Sequence, residues 1–181
     1  MSGPLTGFRV LDLSRVLSGP LATTLLADQG AEVIKVEGFG GDIVRAMGGG
    51  GLTAGFLASN RGKKSIAVDL HSEAGIDIVK RLAETADVFV QNFRPGAADG
   101  LGVGADVIQA LNPRIVYVSI SGFGEKGPYV GKRVYDPVIQ SLSGLADLQA
   151  ANAEDRPRMV RTLVPDKTTG LAAAQAITAA L

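Results

Sequence analysis

The sequence predicts an α/β fold in which a parallel sheet carries helices on both faces. Apolar, β-rich runs alternate with helical stretches along the chain. The first two runs, FRVLDL and EVIKVE, flank a helix-length segment bounded by Pro20 and Gly30, residues that suit a helix's first turn and its stop. Parallel neighbours need such a crossover, and it is nearly always right-handed. With 181 residues, 46% hydrophobic and 20% charged, the chain can enclose a core, and one domain is expected.

Taken in order, a strand over 8–13 leads into a helix from about Pro20 to Gln29 and a second strand over 32–37. A third strand is expected at Lys64 to Leu70. The helix after it, Ser72 to about Ala86, places Ile76, Val79, Leu82 and Ala83 on one face. DVFVQN is the fourth strand. A turn with Pro95 and Gly96 precedes a short helix, Ala105 to Leu111, and RIVYVSI is the fifth strand. A glycine-rich loop, Gly122 to Gly131, follows. Asp136 and Pro137 read as an N-cap and first helical position of a helix ending near Gly144. A polar connector (150–158), a short strand (159–163) and an alanine-rich helix from Lys167 to Leu181 complete the pattern. That helix lacks a stop signal, and its many alanines await a partner, so a C-terminal half is expected beyond it.

Composition excludes several functions. Eighteen basic residues balance eighteen acidic ones without long like-charge blocks, so neither nucleic acid nor an anionic membrane is an expected partner. No cysteine is present and His71 is the only histidine, which argues against a thiolate or histidine-cluster metal site. The start MSGPLTGF lacks a signal-peptide pattern and no apolar run reaches membrane-spanning length; a cytoplasmic protein is expected. Gly122-x-Gly124-x-x-Gly127 is followed by Pro128 and Gly131, poor material for the helix of a dinucleotide site. Gly62-Lys63 and Gly131-Lys132 lack the rest of a phosphate-binding P-loop. The run Gly48–Gly51 reads as a surface loop.

Ligands of parallel sheets bind beyond the strand C-termini. There, Ser18-Gly19-Pro20 opens the first helix, whose free N–H groups and positive dipole end suit an anion. Asp166, after Pro165 at the start of the last helix, is aimed toward the same edge. By local pattern alone a plain N-cap is the commoner reading and catalysis the minority one.

The ordered motifs VLDLSRVLSGP, EVIKVE, NRGKKSIAVDL, QNFRPG, YDPVIQSLSG and PDKTTG closely resemble the N-terminal part of class III coenzyme A transferases, the formyl-CoA and carnitine CoA transferase-like (CaiB/BaiF) family. The resemblance spans essentially all residues, 1–181, as an N-terminal CoA-binding portion. It implies a Rossmann-like sheet within a larger interlocked homodimer. It further implies that Asp166 is a nucleophile that attacks an acyl-CoA thioester and carries CoA to a free carboxylic acid through a covalent aspartyl intermediate. Coenzyme A is then a substrate, with no permanently bound cofactor. Its implied contacts are Leu17 and Ser18, Val68, Asp69 and Leu70, Asn92, Phe93 and Arg94, and Arg133 and Tyr135. Arg94 and Arg133 would pair with phosphates, or are ordinary solvated arginines; Tyr135 would meet the pantetheine end, or is a helix-entry aromatic.

Two departures from the family stand out. Gly38 and Phe39 replace arginines after Glu37, and Gly100 replaces another. The same fold serves 2-methylacyl-CoA racemases, which place a histidine base near position 135. A phenol, with an ordinary pKa of about 10, is a poor base at neutral pH and disfavours racemisation. A CoA-binding fragment without turnover is the third alternative.

Overall fold

The computed structural model describes residues 3–47 and 52–181; the run Gly48–Gly51 lies outside them. The elements in chain order are β1 (Arg9–Asp12), α1 (Ser18–Asp28), β2 (Glu32–Glu37), α2 (Ile43–Ala46), α3 (Ala54–Asn60) and β3 (Lys64–Ala67). There follow α4 (Glu73–Ala83), β4 (Val88–Gln91), α5 (Ala97–Gly100), α6 (Ala105–Leu111), β5 (Val116–Ser119), α7 (Asp136–Leu142), a 3-10 turn (Asp147–Gln149) and α8 (Val164–Ala180). The five strands pair in parallel in the order β3-β2-β1-β4-β5.

Side-chain alternation along each strand splits the core in two. Leu11, Val36, Phe89 and Ile108 join Val79 and Ala83 of α4 on one face; Phe89 stacks on Tyr117 at 5.1 Å. Val10, Val33, Val88 and Val90 join Ala22 and Leu26 of α1 and Ala174 and Ile177 of α8 on the other. The expected parallel sheet with helices on both faces is therefore present. No helix among the described residues is long and apolar enough to cross a membrane.

The helix pair α1 and α8 fixes one corner of the rim formed by the strand C-termini. At Gly170 an added Cβ would lie 2.8 Å from the Ser18 carbonyl oxygen and 3.2 Å from the Leu21 side chain. The first turns of the two helices therefore touch, and from there they run side by side over the sheet. Gly19 is equally constrained, since a Cβ there would meet Ser14 Cβ at 2.3 Å.

The structure corrects several sequence expectations. Residues 159–163 form no strand: instead of a neighbouring strand they find Gln140, whose side-chain oxygen accepts the Val160 N–H (2.8 Å) and whose amide donates to the Thr162 carbonyl (3.2 Å). Helix α8 starts at Val164, so Asp166 lies inside the first turn rather than capping it. Asp136 is likewise the first residue of α7, with Tyr135 at the cap. The third strand stops at Ala67; the Val68 N–H still reaches the Glu37 carbonyl (2.7 Å), after which the chain turns toward α4. Helix α1 begins at Ser18, two residues earlier than Pro20. The short helices α2, α3 and α5 lie in stretches without clear apolar periodicity.

The tight α1–α8 approach yields a first expectation. Gly170→Ala would push the two helices apart and cost about 1–3 kcal/mol by overpacking, measurable as a lower urea midpoint. A wild-type midpoint would show that the contact yields without strain.

Candidate functional site

The strand order reverses between β1 and β4, since β1 leads on to β2 on one side and β4 to β5 on the other. In open α/β sheets the crevice at such a switch point is the ligand site. Two segments face each other there, the β1–α1 loop and the residues after β4. Asn92 joins them: its side-chain oxygen accepts the Arg15 N–H (2.8 Å) and its amide donates to the Arg15 carbonyl (2.7 Å). The Arg15 guanidinium lies 5.6 Å from the centre of the Phe93 ring, within cation–π range.

The β1–α1 loop carries a strained residue. Val16 has φ 69°, the one positive φ at a non-glycine among the described residues. For a β-branched side chain this is a true outlier, costing roughly 1–3 kcal/mol. Its N–H points at both carboxylate oxygens of Asp42, at 3.3 and 3.2 Å. Beyond it α1 opens with no side-chain cap.

Beneath the loop lies a buried charged network set by strand register. Asp12 pairs across from Lys35, and Lys35 from Ser65, on the face that α1 covers. The Lys35 side chain is 2% exposed; its Nζ donates to the Ser14 carbonyl (2.9 Å) and to Asp42 Oδ2 (3.2 Å). Asp12 is fully buried and accepts the Ser14 N–H (2.9 Å), the Ser14 hydroxyl, the Thr23 hydroxyl (2.7 Å) and Lys63 Nζ (3.0 Å). Lys63 also donates to the Pro20 carbonyl (2.8 Å) and Asn60 Oδ1 (3.0 Å). Every buried polar side-chain atom among the described residues finds a partner, as burial of charge requires.

The electrostatics follow from this packing. Burial alone would raise the Asp12 carboxyl, but the Lys63 and Lys35 ammonium groups and the Ser14 and Thr23 hydroxyls outweigh it and hold it below its ordinary range. Burial draws Lys63 down to about 8 against the pull of Asp12. For Glu37, burial is overcome by Arg45, which grips it through Nε (2.8 Å) and Nη2 (2.6 Å), by the Ser65 hydroxyl and by the Asp42 N–H. Its carboxyl lies at about 2.

Asp166 occupies the neighbouring corner. One turn ahead of Gly170, it is half-buried, and its N–H donates to Asp136 Oδ2 (3.1 Å). Asp136 is 3% exposed, and its other oxygen accepts from Gln140 Nε2 (2.6 Å). No hydrogen bond among the described residues ends on the Asp166 carboxylate. Burial, and secondarily the Asp136 charge, push its carboxyl above the ordinary value. A carboxyl at a helix start is expected to ionise more easily; here desolvation and a like charge prevail.

The other expected residues divide clearly. Leu17 is half-buried and Ser18 buried at the start of α1, beside the α8 corner; Asn92 and Phe93 stand across the crevice. Val68 and Leu70 are buried core residues, and Asp69 turns the chain by accepting the His71 N–H (2.9 Å). A recess of 420 Å³ adjoins them, lined by residues that include Leu70, His71, Gly100 and Leu101. A side chain at Gly100 would meet only open space. Arg94 and Arg133 are exposed; Tyr135 is 73% exposed and adjoins Asp136, hence Asp166.

Sequence reading missed the supporting network of Asp12, Lys35, Asp42, Lys63 and Val16, and took Asp136 only as a cap of its own helix. One signal was present: in EVIKVE the lysine falls two residues from Val33, on the same covered face.

Residues 5–181 match the model of CoA-transferase family III. The chain is 42% identical to a succinate–glutarate CoA-transferase of Agrobacterium fabrum, over 98% of this chain and 47% of that protein. It is 44% identical to human succinyl-CoA:glutarate CoA-transferase, over 98% and 41%. A crystal structure of a CAIB/BAIF family protein from Brucella suis superposes with a TM-score of 0.94 at 38% identity, covering 99% of this chain and 49% of that one. The chain thus spans about half the length of the relatives it matches.

Acid titration tests the rim electrostatics. Because the Glu37 carboxyl lies at about 2 when folded against an ordinary 4.5, its contribution is complete above the unfolded value and is lost as pH falls from 4.5 toward 2. Urea denaturation should show Glu37→Gln less stable than wild type at pH 7 and less sensitive to pH across that window. Parallel pH curves for the two proteins would contradict the assignment.

Proposed function

The chain belongs to CoA-transferase family III, and we propose that the protein carrying it moves coenzyme A from an acyl-CoA thioester to a free carboxylic acid, with Asp166 as the covalent relay. The observation that carries this reading is the Asp166 corner. A carboxylate without a hydrogen-bond donor among the described residues, partly desolvated and beside a second carboxylate, stands at the rim where ligands of such sheets bind.

In this reading the Asp166 carboxylate attacks the thioester carbonyl and CoA leaves as thiolate, giving a mixed anhydride. The thiolate then attacks the aspartyl carbonyl, which releases the donor acid and leaves an aspartyl-CoA thioester. The acceptor carboxylate repeats the sequence in reverse and departs as the new thioester. Each exchange passes through an oxyanion, which backbone N–H groups at a helix start can stabilise. Withdrawal from water suits the carboxylate twice, since it raises basicity and protects the anhydride.

Leu17, Ser18, Asn92, Phe93 and the turn of Val68, Asp69 and Leu70 would receive CoA, with Arg94, Arg133 and Tyr135 at the open side. No resident cofactor is needed. We place the chain as the N-terminal CoA-binding portion of a longer, interlocked, cytoplasmic homodimer, in which the remaining half would complete the acyl pocket.

Full-length protein incubated with an acyl-CoA and a second acid should yield the second thioester, and hydroxylamine should trap Asp166 during turnover. Asp166→Asn should abolish both, by at least about 10³-fold; an unmodified Asp166 in active enzyme would refute the mechanism. The pH profile supplies a second expectation. The ionised carboxylate is the nucleophile, so kcat/KM falls as pH drops through its raised pKa. Asp136→Asn removes the like charge and should move that acid limb to lower pH; an unmoved limb would show that Asp136 does not influence Asp166.

A further inference from the structure

Three consecutive residues of the β1–α1 loop are each held through the main chain by a side chain from elsewhere. Lys35, in β2, binds the Ser14 carbonyl; Asn92, after β4, binds both main-chain groups of Arg15; Asp42, ahead of α2, takes the Val16 N–H. The hold is continuous with the buried charge beneath, because Lys35 also binds Asp42. Asp42 in turn caps α2 through the Val44 N–H (3.1 Å) and donates its own N–H to Glu37 (2.9 Å).

This grip has an identifiable target. Val16 alone among described non-glycine residues has a positive φ, a state that a β-branched residue leaves unless its surroundings impose it. Relaxation of Val16 would displace Leu17 and Ser18, the next two residues, which form the uncapped start of α1. A conformation enforced against local preference at a ligand rim is the signature of preorganisation.

We propose that Lys35 and Asp42 are positioning residues that lock the β1–α1 loop, through Val16, in the conformation that receives coenzyme A. This rests on the functional reading above and extends it to two side chains that do not themselves face the crevice. Asp42 supplies the acceptor, and Lys35 holds Asp42 in place while anchoring Ser14. Glycine at position 16 would reach the same geometry without strain, so the lock would then be partly dispensable.

The test uses full-length protein, with CoA binding by calorimetry and amide hydrogen exchange of residues 14–18 without ligand. Asp42→Ala should weaken CoA binding about tenfold and speed exchange in the loop. KM for acyl-CoA should rise in step while kcat holds. Adding Val16→Gly to Asp42→Ala should restore most of the affinity and slow the exchange again, a rescue that general destabilisation would not give. Asp42→Asn, which keeps an acceptor oxygen but loses the charge partner of Lys35, should fall between. Wild-type exchange in Asp42→Ala, or no recovery in the double variant, overturns the lock whatever CoA does. If wild-type protein fails to bind CoA while the exchange changes and their reversal occur as stated, the functional reading falls instead, and with it the ligand assigned to the loop.

Discussion

A fully buried carboxylate and a nearly fully buried ammonium, Asp12 and Lys35, face the same side of adjacent strands, and the rim of the sheet is built to satisfy them. Removing one member of such a set typically costs about 3–5 kcal/mol, because its partners are left charged without compensation. Ser14, Thr23, Asp42 and Lys63 therefore have to stand where they do. The loop after β1, the first turn of α1 and the segment before β3 are joined through these atoms. What resembles a flexible connector in the primary structure is braced by side chains from β2, the segment ahead of α2 and the residue after β4.

The same economy operates at the second corner. Asp136 belongs to α7, yet one of its oxygens serves the first turn of α8, and Gln140, one turn later, binds the connector that leads there. A long irregular segment between β5 and α8 is thus fixed at its far end by two side chains of one short helix. Contact between Gly170 and Ser18 then ties this corner to the braced loop. Asp166 and the start of α1 share one framework, although almost 150 residues separate them.

Legibility in the sequence tracked the range of the interactions concerned. Alternating apolar runs and the crossover rule revealed the five parallel strands, because strand pattern and chain direction are local or topological properties. The bounds failed where a side chain from afar replaced a regular neighbour: residues 159–163 read as a strand until Gln140 claimed their main chain. Asp166 was singled out by motif order rather than by local chemistry, for its first-turn position fits a cap as well as a nucleophile. The charged braces were hidden for a related reason. Lys35 and Asp42 lie seven residues apart but meet only after β2 has paired and the chain has turned back over it, and Val16 betrays no strain until its φ is known.

The register that places Asp12 opposite Lys35 has a consequence for how this sheet assembles. If β2 slipped by one residue against β1, the lysine would move to the opposite face, beside the apolar side chains of Leu11 and Phe89. Apolar strands such as these discriminate poorly between alignments by hydrophobicity alone. The buried lysine acts as a checksum: any slip that reverses its face strands its charge away from Asp42 and the Ser14 carbonyl.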